Sequence, residues 1–341
     1  MNEIQNDSIS SAEPSATPEC LRAAVLDDYQ HVANRFADWS IIGDRVKVQV
    51  FHDHVVERAA LVTRLEPFDI VFLMRERTPL SAATLAALPR LKLIVTAGMW
   101  NAAIDLKAAA AAKIAVRGTQ GKHNSTAELT WLLILALARR LVNEVASVRR
   151  GGWQTGVGID LAGRTLGIVG LGAIGRQVAQ VANVFGMTCI AWSPHLTDAR
   201  AHEGGAQRVE LDTLLQRADF VTVHMKLSRE TRHLLGEREL ALMRPSAYLV
   251  NTSRGPLVSE TALLAALQSG RIAGAAIDVY DVEPLPSNHP FRDCRNLIAT
   301  PHIGYVTEAA YAGFFGQMVQ NVRAWLDGCA LRDIAADANP D

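Results

Sequence analysis

The stretch TLGIVGLGAIGRQVAQVANVFG, Thr165–Gly186, decides the fold. It opens as a short apolar strand and passes through Gly170, Gly172 and Gly175 in G-x-G-x-x-G spacing. It then continues as a helix beginning at Ala173 and Ile174. The glycine spacing alone is weak evidence; placed between a strand and a helix it predicts a dinucleotide-binding turn. Gly170 permits the tight turn, Gly172 lets the backbone approach a pyrophosphate, and Gly175 lets helix and strand pack closely. The helix start adds unpaired N–H groups and a positive dipole end, which suit an anion. A glycine turn that serves packing alone is the alternative.

Outward from this turn the pattern alternates. Apolar runs at Thr188–Ser193, Phe220–Met225, Ala247–Thr252, Gly274–Val279 and Asn296–Thr300 follow the first strand, mostly linked by helical segments. They predict a six-stranded dinucleotide-binding sheet. Upstream, a second series reads as strands beginning near Arg22 and at Val46–Phe51, Asp69–Met74, Leu91–Ala97 and Lys113–Gly118. Short apolar runs between helices indicate parallel sheets covered on both faces. Between the two series, Asn124–Trp153 reads as one long or twice-turned helix, with Ser125 and Glu128 in capping-box spacing. It is more apolar than a surface helix requires, which suits a core or a subunit contact. A last amphipathic helix follows residue 303 and is expected to pack back on the first domain.

The totals restrict the function. The chain has 341 residues, 49% of them hydrophobic and 20% charged, enough for two globular domains. A net charge of −1 gives no basic excess, so nucleic acid is an unfavoured partner. The longest apolar run, Leu129–Ala138, is about half a membrane span. Residues 1–20 lack the basic start and apolar centre of a signal peptide and read as a disordered tail. The four cysteines form no CxxC, which fits a cytoplasmic location and argues against a metal site.

Arg254 in NTSRGPLV, Glu283 in DVYDVEPLP and His302 in TPHIG each follow a strand of the second series. Ligands bind at that edge of an α/β sheet. The three suit carbonyl reduction. His302 can give a proton to the oxygen, Glu283 can fix its tautomer and favour imidazolium, and Arg254 can hold a carboxylate in its fork. Singly, each is better explained by a salt bridge or a structural histidine. At the end of the strand after the glycine turn, where an acidic residue would accept the ribose hydroxyls of NAD, stands Ser193. A serine would not repel a 2′-phosphate, and His195 and Arg200 follow. The cofactor is therefore NAD or NADP, with NADP slightly favoured.

GLGAIG, NTSRG, DVYDVEP and TPHIG, in this order and spacing, resemble the D-isomer specific 2-hydroxyacid dehydrogenases from about residue 21 to about 330. The resemblance implies two doubly wound parallel-sheet α/β domains with the active site in the cleft between them. A flavodoxin-like substrate domain would comprise 21–119 and 303–332, and a Rossmann cofactor domain 120–302. It also implies a product of D configuration and a homodimer built largely by the cofactor domain. TAGMWNAAID resembles the loop whose backbone amides, at Gly98 and Met99, receive the substrate carboxylate. Thr126, His224, Thr252 and Asp278 resemble cofactor contacts. The family's usual proline after VTVH is replaced, which puts Lys226 near the expected adenine pocket.

The substrate is expected to be a small 2-oxo or 2-hydroxy acid such as glyoxylate or hydroxypyruvate. Met99 and Trp100 would restrict its side chain; Arg75 and Arg77 read as surface charges, with a contact to a second acidic group as the alternative. The chain ends soon after the returning helix, which leaves no room for an appended regulatory domain. A formate dehydrogenase would be expected to carry glutamine at 283. Phosphite oxidation uses a similar trio, and a dinucleotide-sensing interaction protein on the same fold is the alternative from another class.

Overall fold

The computed structural model describes residues 20–121 and 124–335. The chain divides into two compact units, one made of Met1–Gln120 with Phe314–Asp341 and the other of Gly121–Gly313. Of the expected N-terminal tail, all but Cys20 lies outside the described residues.

The first unit is built on β1 (Leu21–Val25), β2 (Val46–Val50), β3 (Ile70–Leu73), β4 (Leu93–Thr96) and β5 (Ala115–Arg117). All are parallel, in the order β2-β1-β3-β4-β5. That is the flavodoxin-like order. β3 and β4 are buried at every residue, because helices cover both faces of the sheet. The helix Glu308–Leu326 crosses from one unit to the other. From Phe314 onward it belongs to the first, so the crossing falls inside the helix and not before it, at 303. Here Asn321 is fully buried; its side-chain amide donates to the Gly118 carbonyl (2.6 Å), and its own carbonyl accepts from Arg117 (2.9 Å).

The second unit holds β6 (Thr165–Val169), β7 (Thr188–Trp192), β8 (Gln207–Arg208), β9 (Phe220–Val223), β10 (Tyr248–Asn251), β11 (Gly274–Ile277) and β12 (Leu297–Ala299). The parallel order is β12-β11-β10-β9-β6-β7-β8. The sheet therefore has seven strands where the sequence suggested six. The addition, β8, is two exposed residues that pair only with β7. Connections run to opposite sides of β6, so the switch point lies between β6 and β9, where an open α/β sheet forms its ligand crevice.

The long helix is two helices, Ser125–Ala138 and Leu141–Arg149, broken where Arg140 takes a left-handed φ of 52°. Ser125 is the first helical residue and not the cap. Asn124 precedes it in helical geometry without a side-chain bond, so the capping box suggested by the spacing does not form.

Candidate active site

The glycine turn leaves β6 and enters the helix Ala173–Val184. Gly170 has φ 101°, and a Cβ there would lie 2.6 Å from the His224 carbonyl oxygen. A Cβ on Gly175 would collide with the Gly170 carbonyl, so helix and turn touch directly. Gly172, between them, faces open space and caps the helix with no side chain. Its amides, with those of Ala173 and Ile174, are therefore available to an anion. Behind the turn His224 keeps both ring nitrogens buried without a partner among the described residues. Burial pushes its pKa down to about 4, so the ring is neutral. A bare helix start, an open glycine and an orphaned imidazole are what a dinucleotide site presents when its ligand supplies the missing contacts. Ser193, just past β7, accepts from the Leu171 N–H at 3.1 Å. His195, Arg200 and Lys226 are exposed.

The candidate catalytic residues sit on loops at the ends of β10, β11 and β12. His302 Nδ1 lies 2.6 Å from Glu283 Oε2, and Glu283 Oε1 accepts from the Tyr280 N–H at 2.9 Å. Both carboxylate oxygens are thus committed, and the ring is held by Nδ1. Its Nε2 makes no hydrogen bond among the described residues, while the Tyr305 ring lies edge-on at 5.3 Å. His302 itself has φ 54°, a left-handed conformation that a non-glycine residue keeps only when its surroundings over-determine it.

Asp278 supplies much of that constraint. It is fully buried at the end of β11. Its Oδ1 accepts from the Thr300 hydroxyl (2.6 Å) and the Ile303 N–H (2.8 Å), and its Oδ2 accepts from the Gly304 N–H (2.8 Å). Burial pushes its carboxyl above the usual range, against these hydrogen bonds and the nearby His302. The sequence placed Asp278 against a cofactor; the structure shows both its oxygens gripping the loop that carries His302. On the far side of that loop the Thr126 hydroxyl donates to the Gly304 carbonyl at 3.1 Å. Thr130 bonds the Thr252 hydroxyl at 2.9 Å. The N-terminal turn of the helix Ser125–Ala138 is therefore pinned beside the centre.

Arg254 sits directly before the turn Gly255–Leu257, with its carbonyl held by the Asn251 amide (2.9 Å) and its Nη1 donating to the Ser253 carbonyl (2.7 Å). Gly255 packs on the Tyr280 backbone. A Cβ there would be 2.6 Å from Tyr280 Cα and closer still to its carbonyl. This glycine brings the Arg254 loop against the loop of Glu283.

In the first unit, Gly98 and Met99 follow β4. The Gly98 N–H donates to the Thr119 hydroxyl at 2.8 Å, so of the two amides read as carboxylate receivers one is already engaged. Arg75 and Arg77 are half-buried and not surface charges. A Cβ on Gly98 would collide with the Arg75 guanidinium, which therefore lies over that glycine. Arg77 donates to the Asp27 carbonyl at 2.7 Å and stacks over Tyr29. Among the described residues no group of side chains could hold a metal ion, and no helix is long and apolar enough to cross a membrane.

A doubly wound sheet with a bare phosphate turn, and with a carboxylate-held histidine at another strand end of the same sheet, is the arrangement of a nicotinamide-dependent oxidoreductase. Comparison with known proteins fixes the group. The profile of the D-isomer specific 2-hydroxyacid dehydrogenase NAD-binding domain matches residues 131–304. A glyoxylate reductase of Thermococcus litoralis is 40% identical over 250 residues, 70% of this chain and 75% of that protein. A D-3-phosphoglycerate dehydrogenase of Methanocaldococcus jannaschii is 39% identical over 73% of this chain, which spans only 48% of that longer protein. The crystal structure of a phosphoglycerate oxidoreductase from Vibrio cholerae superposes with a TM-score of 0.86 at 36% identity, over 91% of this chain and all of the other. The chain belongs to the D-isomer specific 2-hydroxyacid dehydrogenase family, and it is a nicotinamide-dependent enzyme of the 2-oxo/2-hydroxy acid interconversion.

Proposed function

We propose that this enzyme reduces a small 2-oxo acid, of the glyoxylate or hydroxypyruvate kind, to the D-2-hydroxy acid, with His302 as proton donor. The observation that carries this reading is the 2.6 Å contact of His302 Nδ1 with a Glu283 whose second oxygen is already held by Tyr280. That contact fixes the orientation of the ring and leaves Nε2 for the substrate. Nε2 gives its proton to the carbonyl oxygen, and takes one back in the reverse direction. Arg254 holds the substrate carboxylate and polarises the neighbouring carbonyl. We keep Gly98 and Met99, in the first unit, as candidate substrate contacts; there the Arg75 guanidinium lies over Gly98. The dinucleotide is held by the amides of 172–174, with Ser193, His224, Thr252, Thr126 and the Asp278 loop around it; when bound, it supplies the hydride. The test is a panel of 2-oxo acids with NADH and NADPH, followed at the nicotinamide absorbance. Turnover of glyoxylate or hydroxypyruvate is expected, and failure with every acid in the panel would overturn the reading.

The cofactor reading keeps NADP slightly ahead, because the position after β7 offers a hydroxyl where a carboxylate would repel a 2′-phosphate. Ser193→Asp can still accept the Leu171 N–H while adding that repulsion. It should move the ratio of kcat/KM for NADH over NADPH upward by on the order of tenfold, about 1.4 kcal/mol. An unchanged ratio would show that this position does not face the phosphate.

The assembly we read as a homodimer through the second unit, in a reducing cytoplasm where all four cysteines stay free. Leu132, Leu141, Val142, Val145 and Val148 are exposed along the paired helices and Trp153 just past them, Trp153 at 75%. A patch of this kind marks an interaction face. Leu132→Asp with Val142→Asp should convert a particle of twice the chain mass into one of the chain mass, read by light scattering. An unchanged mass would place the contact elsewhere.

A further inference from the structure

We propose that Tyr280 is a positioning residue that locks the three loops of the reacting centre to one another, an inference that rests on the role given above to His302 and Glu283. Three separate contacts meet on this residue. Its N–H donates to Glu283 Oε1 at 2.9 Å, which aims Oε2 at His302. Its hydroxyl donates to the Thr300 carbonyl at 2.9 Å, the carbonyl that also accepts the His302 N–H at 3.0 Å. Its backbone is the surface on which Gly255, next to Arg254, is packed. The arginine, the glutamate and the histidine thus each reach Tyr280 through one bond or one contact.

The side chain is built into the fold. Tyr280 is 6% exposed, and its ring belongs to the apolar cluster of Leu257, Leu263, Ile277 and Phe291. A buried hydroxyl needs a partner, and here the partner is a carbonyl in the loop of His302. Burial, with the carboxylates of Asp278 and Glu283 nearby, raises the phenol above its usual range, so it remains a donor at every working pH. Asp278 grips the loop 300–304 from one side, and Tyr280 grips Thr300 from the other. Both are required for the imidazole to keep its left-handed backbone and its short contact to Glu283. The groups facing His302 are Glu283 at Nδ1, the Asp278 carboxylate behind the loop and the Tyr305 ring.

Tyr280→Phe removes the hydroxyl and keeps ring packing and N–H. In the full-length enzyme with saturating cofactor, kcat should fall about threefold to tenfold, the worth of one neutral hydrogen bond, while cofactor Kd is unchanged. Amide exchange of Ile303 and Gly304 should quicken while that of residues 170–175 does not. 4-Aminophenylalanine at 280, which restores a donor, should recover both kcat and the slow exchange of Ile303 and Gly304. Wild-type kcat with unchanged exchange of Ile303 and Gly304 in Tyr280→Phe would overturn the proposal, and so would a loss of kcat that the restored donor does not recover. If the wild-type enzyme reduced no 2-oxo acid, the function would be misread. The exchange measurement would still decide whether Tyr280 holds the loop.

Discussion

His302→Ala is expected to lower kcat for 2-oxo acid reduction by ~10²–10⁴-fold, the usual worth of a positioned general acid, and to leave cofactor binding intact. The separation of the two effects follows from the topology. The imidazole is carried by the loop after β12, at one end of the sheet order, whereas the phosphate turn leaves β6 near its middle. The variant should also fold. The loop is held by Asp278 through backbone N–H groups of Ile303 and Gly304 that the substitution does not touch. Glu283 keeps its bond from Tyr280 and is partly solvated, so it is not left as a buried unpaired charge. Cofactor affinity from nicotinamide fluorescence and kcat from steady-state assay together check the prediction. Activity above a tenth of wild type would move the proton donor to another residue. Parallel losses of binding and turnover would point to a disturbed fold.

Local chemistry was readable in the sequence wherever a residue's role depends on its own strand and the next few residues. The run through Gly170, Gly172 and Gly175 fixed turn, helix and sheet type, because each glycine answers to a backbone requirement that leaves a spacing. The buried strands β3, β4 and β9 were equally plain as short, largely apolar runs. β8 was not legible, since two exposed polar residues at a sheet edge carry no apolar period. Nor was the break at Arg140, where a non-glycine residue takes a left-handed φ and the apolar pattern runs on regardless. The capping-box spacing at Ser125 misled because the helix starts a residue early, with the serine already buried inside it. At the site, identities were legible and partners were not. Asp278 could be assigned to the centre, but its grip on Thr300, Ile303 and Gly304 joins β11 to the loop after β12, and no local pattern reports that. The engagement of the Gly98 amide by Thr119 is hidden for the same reason. Tyr280 gave no signal at all, because an aromatic after an apolar strand reads as ordinary core.

Gly255→Ala should be nearly as damaging as loss of the histidine, although residue 255 carries no chemistry. A methyl group there would overlap the Tyr280 carbonyl and come within 2.6 Å of its Cα, and backbone cannot turn aside as a side chain can. The Arg254 loop and the Tyr280–Glu283 loop must therefore separate. Gly255 is buried between them, so the movement cannot be absorbed by solvent. Displacing a catalytic constellation by about 1 Å can cost on the order of 10²-fold in rate. That loss is expected in kcat/KM for the 2-oxo acid. Overpacking should also lower stability by about 1–3 kcal/mol, visible as a lower Tm. The phosphate turn lies on another strand and should keep its dinucleotide affinity, which separates this variant from a general collapse. The decisive comparison is with Arg254→Ala measured alongside. If the glycine acts by setting where the guanidinium sits, the double variant should be little worse than Arg254→Ala alone. Additive losses would mean that the two loops serve the reaction independently and that their close packing at Gly255 does not set the position of Arg254.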